Sequence, residues 1–268
     1  MSRLVFDIGG SHLRVALADG DVLGDVLKID TPQDPAQGVD AVRVFLEKHG
    51  GRVEVAVGGI AGIVRDGTVV RTGYLPEWDG FNFAQALVDS CGIPRTRLFN
   101  DAEIAGVGEA VRGAGNGCWV VAYVTVSTGI GGALIVDGRP VPHAYGHEPG
   151  KQIIEYTNMK MLEDLAGGAS LAEEFGRQPE ELDHACVEGR TRALAVGLYN
   201  TLRLWSPDIL IVGGSLMNDA TGYSLDAVVR EISSLPVPLP ALPPVARAAL
   251  GDNAGLYGAL VLAGAESA

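Results

Sequence analysis

The chain has 268 residues, which at roughly 150 residues per domain corresponds to two domains or one large one. It has 33 acidic and 20 basic side chains, a formal net charge of −13, which repels nucleic-acid phosphates and anionic lipid surfaces. We therefore expect a small-molecule partner, with neither nucleic acid nor a membrane surface as a partner.

Apolar runs separated by glycines predict three strands at the start of the chain, followed by alternating helices and strands. The predicted strands are 3–8, 12–19, 22–29, 53–59 and 96–99, and the predicted helices are 36–49 and 83–91. Gly9, Gly10 and Ser11 form the tip of the first hairpin. This order of elements is typical of a mixed α/β sheet.

The same pattern starts again at Val120, where a strand, a glycine-rich tip and a second strand follow one another. Beyond it we predict helices over 159–175, 188–204, 223–234 and 252–265, a strand over 208–214 and an extended proline-rich connection over 235–244. Because β-hairpins commonly have glycine tips, one such hairpin by itself would not indicate a functional site. Two copies, each opening an α/β half, favour a duplicated fold with a cleft between two lobes.

The first tip places a carboxylate, Asp7, at the end of a strand, followed by Gly9, Gly10 and Ser11. Backbone N–H groups at glycines can approach an anion without a Cβ in the way, which suits a nucleotide phosphate. Asp7 is a candidate ligand of Mg²⁺, through water, because this ion prefers oxygen ligands and keeps part of its hydration shell. The alternative is a carboxylate that caps a turn.

Two further glycine segments follow strands in the second half. The second hairpin tip can surround phosphate oxygens with two hydroxyls and backbone N–H groups, and its candidate residues are Ser127, Thr128, Gly129 and Gly131. Gly213 and Gly214 end a later strand, where adenine could lie against the backbone, or where a turn simply requires glycine for a positive φ. Neither tip matches a Walker or Rossmann pattern, so two facing tips indicate a different kind of polyphosphate clamp.

Asn100 and Asp101 lie between a predicted strand and a helix of small residues. A carboxylate there can accept the proton of a substrate hydroxyl as its oxygen attacks a γ-phosphoryl group. The alternative is helix capping, since Asn and Asp are preferred N-cap residues. Glu148 and Glu163 follow in a polar stretch, where they could accept hydrogen bonds from sugar hydroxyls or be ordinary surface acids.

The motifs as a set resemble the ROK family of repressors, uncharacterised proteins and sugar kinases, within the sugar kinase/Hsp70/actin superfamily. They are DIGGSHLRVAL, GIAGIV, LPEW, FNDAEIAGVGEA, VSTGIGGALIVDG, HEPG, MLEDLAGG, PDILIVGGSL and LGDNAGLYGAL, in the order of the family and over essentially the whole chain. The resemblance implies two ribonuclease-H-like lobes, the actin-like ATPase fold, and an ATP-dependent kinase that closes on a hexose.

By position, the resemblance implies that Asp101 is the catalytic base and that the two tips bind phosphate. It also implies four sugar-binding residues, which are Gly62, Asn100, Glu148 and Glu163. The chain departs from the family at Lys151, which stands where a histidine is usual, and in having no cysteine between Lys151 and Glu163. We therefore expect no zinc site.

The leading hypothesis is the phosphorylation of a hexose or N-acetylhexosamine at its primary hydroxyl, with ATP and Mg²⁺. Polyphosphate as donor is one alternative, and a sugar-sensing protein without catalysis is another. We expect a smaller lobe of 1–101 with a C-terminal helix 253–268, and a larger lobe of 102–252. A cytoplasmic location and a possible homodimer complete the expectations, since no apolar run reaches the roughly 18 residues of a membrane helix.

Overall fold

The computed structural model describes residues 2–50, 52–177, 181–218, 220–236 and 241–265. The chain divides into two compact units. Unit 1 comprises Met1–Arg112, Ala144–Gly146 and Asp252–Ala268, and unit 2 comprises Gly113–His143 and His147–Gly251. In the described ranges, no helix is long and apolar enough to cross a membrane.

Unit 1 is built on a five-stranded mixed sheet in the order β3-β2-β1-β4-β7, as traced in the described residues. Its strands are β1 (Ser2–Ile8), β2 (His12–Asp19), β3 (Val22–Asp30), β4 (Val53–Ile60) and β7 (Arg95–Asn100). The first three are antiparallel neighbours, whereas β1, β4 and β7 run parallel. A small hairpin that the sequence pattern did not predict, β5 (Ile63–Arg65) with β6 (Thr68–Arg71), follows β4.

The helices of unit 1 begin and end where local chemistry allows. They are α1 (Pro35–His49), α2 (Phe83–Cys91), α3 (Asp101–Arg112) and α9 (Ala254–Ala265). The side chains of Asp34 and Asn82 cap α1 and α2, accepting from backbone N–H groups at 2.8 Å in both cases. Gly92 ends α2 in the left-handed conformation. These signals were readable locally, and the bounds of α2 match the prediction.

Helices α3 and α9 pack with backbone against backbone. A Cβ on Gly258 would lie 1.6 Å from the Ile104 carbonyl oxygen, and one on Gly108 would lie 2.4 Å from the Ala254 carbonyl oxygen. Only glycine permits this approach. It places α3 in unit 1, whereas the expected lobe boundary after residue 101 assigned this helix to the larger lobe. The expected C-terminal helix 253–268 begins at Ala254, and residues 266–268 lie outside the described residues.

Unit 2 repeats the sheet plan of unit 1, with the order β10-β9-β8-β13-β14 in its described residues. The strands are β8 (Val120–Val126), β9 (Ile130–Val136), β10 (Arg139–Pro140), β13 (Ile209–Gly213) and β14 (Val245–Arg247). Again an antiparallel hairpin, β8 with β9, borders parallel strands, β13 and β14. The two glycine-tipped hairpins therefore occupy equivalent positions in two similar sheets.

The remaining elements of unit 2 correct several predicted bounds. They are a hairpin, β11 (Ile153–Glu155) with β12 (Lys160–Met161), and five helices within the described ranges: α4 (Leu162–Ala166), α5 (Gly168–Phe175), α6 (His184–Glu188), α7 (Thr191–Trp205) and α8 (Leu225–Ser233). The single helix predicted over 159–175 is wrong, because Gly167 is extended (φ −80°, ψ 149°) and separates α4 from α5. Within the predicted proline-rich connection 235–244, residues 237–240 lie outside the described residues.

Candidate active site

The candidate residues of unit 1 collect at the carboxyl ends of three adjacent parallel strands. Asp7 pairs in register with Gly59 of β4, and Ile60 pairs with Asn100 of β7. Asp7, Gly62, Asn100 and Asp101 therefore leave the sheet at one edge. This edge is where open α/β sheets bind their ligands, so the topology supports the grouping that the sequence predicted.

Asp7 is held in a chain of opposite charges. Arg14 lies opposite Asp7 in the hairpin register, and its guanidinium is 3.5 Å from Asp7 Oδ2 and 3.3 Å from Asp252 Oδ2. Lys28 Nζ is 3.4 Å from the same oxygen of Asp252. The side chain of Asp7 is only 15% exposed, so Arg14 is the cation that offsets its buried charge.

Burial, together with the nearby carboxylate of Asp101, raises the pKa of Asp7 to about 7 in spite of Arg14. A pair of buried carboxylates is a common setting for a divalent cation, because the ion removes their mutual repulsion. The oxygen-only chemistry of Asp7 fits Mg²⁺. The structural alternative, in which Asp7 only caps a turn, does not account for the Arg14 contact or for the proximity of Asp101.

The first glycine tip is held at both ends by one residue, Thr31. The Thr31 hydroxyl donates to the Gly9 carbonyl at 2.6 Å, and the Thr31 N–H donates to the Ser11 carbonyl at 3.0 Å. Gly10 lies against Tyr74, where an added Cβ would come within 3.1 Å of the tyrosine Cβ. The tip therefore keeps its shape through its carbonyl groups, while Ser11 itself is exposed.

Asn100 is the N-cap of α3, so part of the capping alternative is correct. Its Oδ1 accepts from Ala102 N at 2.8 Å, and Glu103 Oε2 accepts from Asn100 N at 3.0 Å, which is the reciprocal pattern of a capping box. Asn100 Nδ2 also donates to the Gly62 carbonyl at 2.9 Å. Two of the predicted sugar-binding residues thus bind each other in this structure.

Asp101 occupies the first turn of α3 and is not the cap. Its Oδ1 accepts from Ala102 N at 2.9 Å, while Oδ2 accepts no hydrogen bond from the residues that the structure describes. Burial raises the pKa of Asp101, although the Ala102 N–H partly counteracts this shift. One oxygen therefore orients the carboxyl group, and the other is available to take a proton.

In unit 2, the second tip follows β8 and is fastened to α5. The Ser127 and Thr128 carbonyls accept from Gly168 N and Ala169 N, both at 2.8 Å, and Ser127 N donates to the Gly129 carbonyl at 2.9 Å. A Cβ on Gly168 would lie 2.7 Å from the Ser127 oxygen, which explains the break between α4 and α5. The Ser127, Thr128 and Gly129 carbonyls of this tip thus accept hydrogen bonds from backbone N–H groups of the protein.

Gly213 and Gly214 lie beside this tip, since Gly213 pairs in register with Thr125 of β8. Gly214 has φ +96°, and an added Cβ would lie 2.3 Å from the Val126 carbonyl oxygen. The turn therefore requires glycine at Gly214, as the structural alternative supposed. A nucleotide-binding role for this pair stays a prediction.

Lys151 and Glu163, both in unit 2, form an ion pair. Lys151 ends a short 3-10 turn that begins at Pro149, directly after Glu148, and Glu163 lies in the first turn of α4. Glu163 is largely buried, with 22% of its side chain exposed. The family resemblance implied a histidine at the position of Lys151, so it did not imply this pair.

Gln152 orders the segment that carries Lys151. Its Nε2 donates to the Pro149 carbonyl at 2.7 Å and to the Gly197 carbonyl of α7 at 3.1 Å, and Asn200 donates to its Oε1 at 2.9 Å. In the described part of the chain, no group of three or more His, Cys, Asp or Glu side chains could hold a metal ion. Hydrogen bonds thus hold this segment at Gln152, and the expected lack of zinc stays a prediction.

The sequence analysis missed three residues that position this site, Arg14, Thr31 and Asp252. The first follows from hairpin arithmetic, since a three-residue tip between Ile8 and His12 places Arg14 opposite Asp7. Thr31 had a weaker signal, because it depends on β3 pairing with β2 up to His12 and Asp30. Asp252 lies far from Arg14 in the sequence, and no sequence signal indicated their contact.

A family model described as the ROK family matches residues 3–266. The chain belongs to the ROK family. A polyphosphate glucokinase of Mycobacterium tuberculosis is 29% identical over 273 residues, which cover 97% of this chain and 91% of that protein. Relatives of this ROK protein therefore include sugar kinases.

Solved structures of the ROK family share its fold. A ROK hexokinase from Thermus thermophilus aligns over 100% of this chain and 99% of its own with a TM-score of 0.80 and 26% identity. A ROK glucokinase from Streptomyces griseus, solved in complex with glucose and AMPPNP, aligns over 99% of this chain and 100% of its own with a TM-score of 0.78. At 24% identity it supports the fold alone. The expected α/β class with actin-like ATPase lobes is confirmed.

The buried charge of Asp7 predicts a stability that depends on pH. Because the carboxyl has a pKa of about 7 when folded and near 4 when unfolded, the parent loses stability as pH rises between these values. We expect Asp7→Asn to match the parent at pH 4 and to exceed its free energy of unfolding by about 4 kcal/mol at pH 8 in metal-free buffer. Urea unfolding at several pH values measures this. The exposed Asp25→Asn serves as control, and a difference that is independent of pH would contradict the assignment.

The two bonds of Thr31 predict that its hydroxyl stabilises the first tip. Thr31→Val keeps the shape but leaves the partly buried Gly9 carbonyl without this donor, so we expect a loss of about 1 kcal/mol in the free energy of unfolding. Thr31→Ser retains the hydroxyl and is expected to retain most of the stability. Thr96→Val is a matched control, because the buried Thr96 hydroxyl has no partner among the described residues. Equal losses in Thr31→Val and Thr96→Val would refute the role of Thr31.

Proposed function

We propose that this ROK protein transfers the γ-phosphoryl group of ATP to the primary hydroxyl of a hexose or N-acetylhexosamine. The observation that carries the proposal is Asp101, at the carboxyl end of β7. Burial raises the pKa of its carboxyl, one oxygen is oriented by Ala102 N, and the other accepts no hydrogen bond from the described residues. The sugar kinases among its relatives supply the reaction class. The sugar itself and a cytoplasmic location belong to the proposal, as does a homodimer.

Asp101 acts as the general base. As the sugar oxygen attacks the γ-phosphorus, its proton passes to Asp101 Oδ2, the new P–O bond forms, and the bond to the bridging oxygen of ADP breaks. The raised pKa makes Asp101 a stronger base than an ordinary carboxylate. The hydrogen bond from Ala102 N to Oδ1 keeps the reacting oxygen in a fixed direction.

The two tips have complementary roles in the proposal. Gly9, Gly10 and Ser11 in unit 1 bind phosphate oxygens, as do Ser127, Thr128, Gly129 and Gly131 in unit 2. Tip carbonyls accept from Thr31 in unit 1 and from α5 in unit 2, and the Gly9 and Ser127 N–H groups donate to the His12 and Gly129 carbonyls, both at 2.9 Å. The other N–H groups and the hydroxyls of the tips are the ones proposed to bind an anion. Asp7 would hold Mg²⁺ through water, and the ion would supply positive charge to the phosphate oxygens. Gly213 and Gly214 contact the adenine.

Four residues are proposed to bind the sugar. Asn100 and Glu163 have the chemistry to contact sugar hydroxyls, and Glu148 leads into the turn that carries Lys151. Gly62 contributes indirectly, because its carbonyl accepts a hydrogen bond from the side-chain amide of Asn100 and so orients that side chain. Asn100 thus serves as cap and as ligand, since the cap uses its Oδ1 and the bond to Gly62 uses one of two amide hydrogens.

Polyphosphate is the second candidate donor, because a relative that aligns over 97% of this chain is named a polyphosphate glucokinase. We expect purified protein with Mg²⁺ to form a hexose phosphate from ATP, as measured by product detection across glucose, fructose, mannose and N-acetylhexosamines. Parallel reactions with polyphosphate free of ATP identify the donor. Binding of sugars without turnover with either donor would refute the proposal and favour a sugar-sensing protein.

Asp101→Asn separates catalysis from binding. The amide keeps an oxygen for the Ala102 N–H but cannot take a proton, so we expect kcat to fall by about 10³-fold, with sugar affinity within a few fold of the parent. Steady-state kinetics and calorimetric titration of the sugar measure the two quantities. Asp25→Asn, on the exposed face of β3, is expected to behave as the parent. Full activity in Asp101→Asn would remove Asp101 from the mechanism.

A further inference from the structure

The ion pair of Lys151 and Glu163 changes what Glu163 can recognise. The Lys151 ammonium donates to Glu163 Oε1, and Glu163 Oε2 accepts no hydrogen bond from the residues that the structure describes. Glu163 therefore presents one acceptor oxygen, and its negative charge is balanced by the neighbouring ammonium. An unpaired glutamate would instead present a full negative charge to a ligand.

This pair is built into the unit and differs from a mobile surface contact. Gln152 fastens the Lys151 turn to α7 through its side chain, and its carbonyl accepts from Leu162 N at 2.9 Å, next to Glu163. Both partners are therefore attached to the same residue, Gln152. This frame fixes the separation of the two backbone segments, while the Lys151 side chain itself is 54% exposed.

We infer that Lys151 sets the substrate class of the proposed kinase by neutralising Glu163, so that a neutral hexose is preferred over a sugar that carries an ammonium group. This inference rests on the proposed function, in which Glu163 accepts a sugar hydroxyl. A hydroxyl donates to the balanced carboxylate and gains a hydrogen bond. An ammonium in its place meets the Lys151 cation, and like charges at close range repel. Lys151 thus acts against amino sugars.

The test is the ratio of kcat/KM for an amino sugar to kcat/KM for glucose, with 2-amino-2-deoxyglucose and 3-amino-3-deoxyglucose at a pH where both are protonated. Lys151→Met leaves the charge of Glu163 unbalanced, so we expect this ratio to rise by about fivefold or more for at least one amino sugar. Lys151→Arg keeps the charge and is expected to keep the parent ratio. Lys160→Met removes an exposed lysine from the adjacent β12 and is the matched control.

The double variant Lys151→Met, Glu163→Gln removes both charges, so we expect it to lose the gain of Lys151→Met. Calorimetric binding of glucose and of the amino sugars to each variant gives the same comparison without turnover, and thermal unfolding confirms that each variant is folded. A ratio that is equal in the parent and in folded Lys151→Met, while both phosphorylate glucose, overturns the inference and leaves the proposed function standing. A parent that neither binds nor phosphorylates any hexose overturns the proposed function, and the inference with it.

Discussion

The candidate site depends on a buried carboxylate that the fold keeps beside another carboxylate. Asp7 and Asp101 leave neighbouring regions of one sheet edge, and their proximity helps to raise the pKa of Asp7 to about 7. The Arg14 guanidinium, 3.5 Å from Asp7 Oδ2, offsets part of the free-energy cost of burying this carboxylate. Arg14 and Lys28 both contact Asp252 in turn. A buried carboxylate with a raised pKa costs stability, and such groups are concentrated at functional sites.

The two units use one sheet plan for different tasks. In each, a glycine-tipped hairpin borders parallel strands, and the tip carbonyls are satisfied by the protein. Unit 1 does this with Thr31, a residue at the end of β3, and unit 2 with the start of α5. Asp7, the proposed Mg²⁺ ligand, and Asp101, the proposed general base, both belong to unit 1. Each unit thus has a similar tip, whereas the proposed base lies in unit 1.

The segment around Lys151 shows how a changed residue alters its surroundings. Gln152 holds the Pro149–Lys151 turn against α7, and Lys151 balances the charge of Glu163. A single lysine therefore alters the local charge, and in our proposal it also selects the ligands that Glu163 accepts.

The sequence by itself determined the α/β class, most strands, the two tips and the candidate base, because these depend on local patterns: apolar runs, glycines and a polar pair at a strand end. It also predicted the bounds of helix α2 correctly. It failed where distant segments compete with local preference. The predicted helix 159–175 is divided because Gly168 and Ala169 donate to the tip at Ser127 and Thr128.

Only the tertiary structure decided which residues support the site. It made Asn100 the cap and freed Asp101, attached Thr31 to the first tip, and brought Asp252 to Arg14 across more than two hundred residues of sequence. It also paired Lys151 with Glu163. The physical reason is common to all of these contacts: a charge or a hydrogen bond acts over a few ångströms in space, and spacing along the chain does not encode that distance once the segments belong to different elements.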